Sequence, residues 1–211
     1  RCMGTLYWQL NDTWPVASWA SLEYGGGWKL IHYMARRFQA PVLVTAQPDP
    51  GTGDIVLWAI NDTDQPVTLA VAGRRVSTGG AVTECGSWSC LCPTERAVEI
   101  ARLPVGEFAA DEFLHFDWRD GGGKHTGEND YLLRRPKQYR FVRPQIQVAE
   151  TGDSVTLTSD VPAVYVTYDH GGSDVWSDNA FTLLPGVPKV LTRSRARGGI
   201  SGDDRIRHLE S

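Results

Sequence analysis

The first forty residues show little alternation and carry apolar runs that call for burial. Thr5, Leu6, Tyr7 and Trp8 are β-forming residues in one apolar run, which predicts a short strand covered on both faces. Asn11, Asp12, Thr13 and Pro15 then bring turn chemistry. A polar loop over residues 18–27 closes on Gly25-Gly26-Gly27 and opens a helix. There Trp28, Ile31, Ala35 and Phe38 fall at three- and four-residue spacing, with Leu30, Tyr33 and Met34 widening the stripe. Arg36 and Arg37 suit the negative end of the helix dipole, and Pro41 ends it. One strand and one helix cannot close a core. Such a strand needs neighbours on both sides, and the sequence supplies none before it. The expectation is that the chain begins in the middle of a fold, with residues 1–40 either lying against the next domain or poorly ordered.

From Pro41 onward the period changes from helical to alternating. Short strand-like runs include 42–45, 55–60, 67–71, 98–100, 114–118 and 131–133, separated by Gly, Pro, Asn and Asp. Leu114, Phe116 and Trp118 share one face, with His115 and Asp117 opposite. Six or seven short strands with no helical segment between them predict a β-sandwich. Arg134-Arg135-Pro136-Lys137 marks a boundary. A second set of strands follows at 141–142, 146–148, 155–157, 164–168, 181–184 and 187–191. The Arg- and Gly-rich tail from Arg193 reads as solvated and mobile.

Composition changes this picture little. The 211 residues are 41% hydrophobic and 22% charged, as in ordinary globular proteins. A net charge of −4 argues against a nucleic-acid partner, since phosphates call for a basic face. No apolar run approaches the roughly 20 residues that span a bilayer, so no membrane partner is expected. Cys85, Cys90 and Cys92 cluster, which reads either as a metal site or as a strand with incidental thiols, and no second pair of metal-ligand spacing supports the metal. A Cys85–Cys90 disulfide is possible but not implied. Free thiols in a reducing compartment are the simplest account, which puts a cytoplasmic setting ahead of secretion. Eight tryptophans suit both a core and a sugar-stacking surface.

Taken in order, these motifs resemble the C-terminal part of a glycoside hydrolase family 2 β-mannosidase. The run from Gly4 to Pro15 is similar to the last strand of that family's (β/α)8 barrel and its following loop, and Gly27-Trp28-Lys29 through Arg36-Arg37-Phe38 to the closing helix. Glu128-Asn129-Asp130-Tyr131 with Pro136-Lys137 resembles the end of the first trailing sandwich. Ser177 through Gly186 resembles the final immunoglobulin-like domain. The implied fold is mainly β. Two tandem immunoglobulin-like β-sandwich domains, 41–136 and 137–211, are preceded by the last β/α unit of a truncated (β/α)8 barrel, 1–40.

The resemblance implies exo-acting hydrolysis of terminal β-mannose with retention. That chemistry uses two carboxyl groups about 5–5.5 Å apart. In the family these are glutamates on earlier barrel strands, so no catalytic residue, cofactor or metal is assigned to this chain. The implied partners are a β-mannoside glycan and an upstream catalytic domain of the same polypeptide. Trp8 matches the aromatic platform under the reacting sugar; the competing reading is a core tryptophan. Asp12 either accepts sugar hydroxyls or shapes the turn. Asn11 lies in the same loop, and Trp14 either touches substrate or packs under it. His32, His115 with Asp117, the Lys124–Glu128 loop and the Asp169–Asp174 turn read as structural. Two rivals stand beside this reading. One is an independent carbohydrate-binding module presenting Trp58, Trp88, Trp118 or Trp176 on a strand face. The other is a sister β-galactosidase or β-glucuronidase on the same scaffold.

Overall fold

The computed structural model describes residues 4–169, 174–195 and 205–207. The central residues of the 169–174 turn and most of the Arg-rich tail lie outside them. The chain divides into two compact units. Of the described residues, one comprises 37–145 with 160–162; the other joins 4–36 to 146–159, 163–169, 174–195 and 205–207.

The first unit is a sandwich of two antiparallel sheets. Strands β1 (Val42–Pro48), β2 (Ile55–Asn61) and β5 (Arg96–Leu103) form one, in the order β1-β2-β5. Strands β3 (Val67–Ser77), β4 (Val82–Cys92), β6 (Glu112–Asp120) and β7 (Thr126–Tyr131) form the other, in the order β4-β3-β6-β7. Alternation along each strand puts Val42, Val44, Leu57, Leu69, Val71, Leu114, Phe116 and Trp118 into one shared core. The three clustered cysteines belong to β4 and face this core: Cys92 is fully buried, and Cys85 and Cys90 are half-buried beside it. All three are free. Five residues apart along a strand is about 17 Å, which is far beyond disulfide reach. Gly86 is required where it stands, because a Cβ there would lie 2.2 Å from the Trp88 ring. On the outer face His115 is nevertheless buried, its Nδ1 2.8 Å from Asp130.

The second sandwich pairs β8 (Ile146–Thr151), β9 (Ser154–Ser159), β11 (Val175–Trp176) and β13 (Lys189–Arg195) in the order β11-β13-β9-β8. Its other sheet orders β12 (Phe181–Leu183), β10 (Ala163–Asp169) and β14 (Arg205–Arg207) as β12-β10-β14. Leu157, Val166, Tyr168, Trp176, Phe181 and Leu191 fill its core. The expected strand at 141–142 is absent. Phe141 instead packs its ring 5.4 Å from Tyr139 and 6.4 Å from Phe113.

Two expectations about the opening segment are corrected. Residues 4–8 form no strand. A strand exists only by pairing, and the described residues contain no neighbouring barrel strand for it to join. Nor does the segment belong with the first sandwich: residues 4–36 group with the second. The helix α1 runs Leu30–Phe38, starting slightly later than the apolar pattern.

Candidate functional site

The site candidates sit on a loop closed by backbone hydrogen bonds rather than by a strand. Ser21 N–H donates to the Gln9 carbonyl at 2.9 Å, and Leu22 N–H to Leu10 at 2.8 Å. Asp12 N–H returns to Leu22 at 3.0 Å, and Lys29 N–H to Ser21 at 3.0 Å. Residues 9–12, 21–22 and 28–29 thus form a miniature ladder beside the start of α1. Between its edges the chain from Asn11 to Trp19 bulges outward. The Trp8–Gln9 peptide bond is cis.

Side chains on this loop divide sharply. Trp8 is 71% exposed, Trp14 64% and Trp19 74%, and Asn11 also faces solvent. Asp12 goes the other way: it is buried, accepting from the Ser18 hydroxyl and pairing with Lys29 Nζ at 3.0 Å. The Ser18 hydrogen bond first, and then Lys29, hold the Asp12 carboxyl below the usual aspartate range. Lys29 Nζ also donates to the Ser18 carbonyl at 3.3 Å. Both carboxylate oxygens are therefore engaged inside the loop. Asp12 is thus engaged within the loop, whereas Trp8, Asn11 and Trp14 are exposed.

Residues with no signature in the sequence do the bracing. Ser21 is completely buried and meets His32 Nδ1 at 2.9 Å and the Leu10 carbonyl at 2.9 Å. In α1, Tyr33 is 1% exposed. Its hydroxyl accepts the Trp176 N–H at 3.2 Å. Arg36 donates to the Ser177 carbonyl and lies 3.5 Å from Asp178. Nothing local marks these partners, because each pairing is 11 to 143 residues apart in the chain. Other apolar residues of α1 face outward, with Leu30, Ile31 and Phe38 each more than 40% exposed.

Elsewhere the candidates lose their sites. Trp118 and Trp176, put forward for a sugar-stacking face, are 5% and 2% exposed. Trp58 and Trp88 are half-buried, and Trp88 packs against the core. The first sandwich carries a groove of about 630 Å³ lined by Thr68, Ala70, Ser89, Arg119, Asp120 and the 121–123 glycine turn. No ring lines it, so it offers no stacking platform. His115 is engaged by Asp130, and Asp117 by Arg74.

Family comparison follows the same division. Residues 53–138 match the Mannosidase Ig/CBM-like domain, and residues 141–210 match the Ig-fold domain Ig_mannosidase. A β-mannosidase of Rattus norvegicus is 40% identical over 107 residues, covering 50% of this chain and 12% of that protein. β-Mannosidase A of Aspergillus clavatus is 26% identical over 226 residues, covering 96% of this chain and 24% of that protein. The crystal structure of the β-D-mannosidase from Dictyoglomus thermophilum superposes with a TM-score of 0.77 at 17% identity, covering 96% of this chain and 26% of that one. At that identity the likeness is one of fold. The chain spans about a quarter of the length of the Aspergillus relative that it matches almost end to end. With both sandwich models matched in sequence and in order, the chain belongs to the β-mannosidases of glycoside hydrolase family 2, of which it carries the C-terminal part.

Proposed function

We propose that this chain is the C-terminal part of a retaining exo-β-mannosidase that releases terminal non-reducing β-D-mannose. In this reading residues 1–40 are the last β/α unit of a (β/α)8 barrel. Residues 41–136 and 137–211 are the two trailing sandwiches. The carboxylate pair that performs the displacement belongs to earlier barrel strands of the same polypeptide, and this chain contributes binding. Trp8 offers its ring as the platform for the reacting sugar, burying the apolar C–H face while hydroxyls stay free for hydrogen bonds. Asn11 and Trp14 border it, and Asp12 keeps the loop in shape through Ser18 and Lys29.

One observation carries the reading: residues 6–38 are turned inside out. Ten of the eighteen exposed large apolar side chains among the described residues lie there, from Leu6 and Trp8 to Ile31 and Phe38. Exposed apolar side chains gathered in one segment call for a cover. The apolar stripe of α1 and the run at 4–10 are what a closing barrel would bury, and upstream barrel strands of the same polypeptide are the cover we propose. The stacking-face module has lost two of its four rings to the core, so no observation favours it.

The test is an assay on an aryl β-mannoside. The purified 211-residue chain gives no turnover. A polypeptide extended upstream through the barrel hydrolyses the substrate and releases β-mannose first. Turnover by the 211-residue chain alone would overturn the assignment of the catalytic groups.

A further inference from the structure

We infer that Ser21, held by His32, is a positioning residue for Trp8: it fixes the backbone that follows Trp8 and so sets the angle of the ring. The inference rests on the reading of Trp8 as a sugar platform. Ser21 is 0% exposed although it lies in a loop. A hydroxyl has one proton to give and two lone pairs to fill. The Ser21 O–H goes to the Leu10 carbonyl at 2.9 Å. Its remaining neighbours, His32 Nδ1 at 2.9 Å and the Tyr7 hydroxyl at 3.3 Å, must therefore donate to it. That assigns the proton of His32 to Nδ1. The imidazolium carries a proton there too, so the contact survives a change of charge.

The consequence is a clamp on two consecutive carbonyls. Gln9 O is held by Ser21 N–H, and Leu10 O by both Leu22 N–H and the Ser21 hydroxyl. These are the first and second residues after Trp8. The clamp is anchored in turn. The His32 ring meets Trp28 edge-on at 4.3 Å, and Trp28 meets Tyr33 at 5.1 Å. The Tyr33 hydroxyl takes the Trp176 N–H of the second sandwich. All of these residues belong to one compact unit. A misplaced platform lowers the rate without removing any group that touches substrate.

A double-mutant cycle in the barrel-containing polypeptide separates this role from ordinary structural support. Trp8→Ala lowers kcat/KM for an aryl β-mannoside by roughly 10–100-fold. Ser21→Ala lowers it by about 5–10-fold. In the Trp8→Ala background, however, Ser21→Ala costs less than about twofold, because the group it positions is gone. His32→Leu behaves like Ser21→Ala. His32→Asn recovers most of the loss, since its amide N–H stands near the place of Nδ1–H. The two His32 variants carry the test if Ser21→Ala fails to fold. A Ser21→Ala loss equal in both backgrounds, or no loss with Ser21→Ala and His32→Leu, overturns the positioning role while Trp8 keeps its own. A silent Trp8→Ala overturns the platform reading itself, and the positioning role with it.

Discussion

The first sandwich and the opening segment follow opposite rules of burial. In the sandwich, apolar side chains alternate inward, and Leu57, Leu69, Leu114 and Phe116 are completely buried. In residues 4–38 Trp8, Trp14 and Trp19 point out, while Asp12 and Ser21 point in. Composition differs in kind, with Trp prominent in the opening segment and Val in the sandwich, and does not decide which apolar side chains are buried. Pairing does. Every sandwich strand finds a partner inside the chain, so its apolar face has somewhere to go. Residues 4–8 form no strand, and the backbone at Gln9 and Leu10 is organised instead by hydrogen bonds from Ser21 and Leu22. An apolar pattern thus names a face to be covered, and only the neighbours decide whether this chain covers it.

The largest effect that sharpens the contrast is a pair of truncations in the 211-residue chain. Phe116→Ala removes a fully buried ring and costs about 3–5 kcal/mol in urea unfolding. Trp19→Ala, at 74% exposure, stays within about 0.5 kcal/mol. A comparable loss at Trp19 would mean that the opening segment already has its cover.

A smaller effect belongs to His115. Burial of its ring alone would disfavour the charge. The hydrogen bond and charge of Asp130, helped by Glu128 and opposed by Arg74, outweigh it and raise the His115 pKa above the ordinary 6.5. The folded state therefore holds the proton more tightly than the unfolded one. The stabilisation is complete below pH 6.5 and disappears as pH rises through the higher folded value. Melting temperatures of the wild type should fall across that window relative to those of His115→Asn. Parallel pH profiles would remove His115 from the account.

The smallest effect is on the loop. The Asp12 carboxyl lies below its usual 3.8, so its contribution is present above that pH and is lost as pH falls through the folded value. Asp12→Asn should speed amide hydrogen exchange at Asp12 and Ser21 at neutral pH while leaving the Ile55–Asn61 strand unchanged. Unchanged exchange at all three positions would show that the backbone ladder holds the loop without the ion pair.

Much of the sandwich was legible from alternation alone. The shared face of Leu114, Phe116 and Trp118 is the face that enters the core, because a period of two leaves a strand only one way to turn. The β4 strand was legible only as one of two readings of the cysteine segment, since Ser, Gly and Cys at positions 85–92 carry no strong propensity; it forms because β3 offers an edge along its whole length. The same limit applies to the 141–142 run, where two apolar residues satisfied the strand pattern without a ladder to join.

At the candidate site the local chemistry was readable and the pairing was not. The resemblance of the Gly4–Pro15 run to a barrel strand and its loop singled out Trp8, Asn11, Asp12 and Trp14. The sequence by itself determined that Asn11, Asp12 and Trp14 share one loop directly after Trp8, that the trailing residues form β-sandwiches, and that α1 has an apolar stripe. Only the tertiary structure decided that Asp12 turns inward to Ser18 and Lys29, that Ser21 and His32 brace the carbonyls behind Trp8, and that Tyr33 reaches Trp176. The physical reason is range. Propensity and periodicity act over a few residues, whereas a buried hydroxyl or carboxylate is satisfied by whichever donor the completed fold brings near, at any distance along the chain.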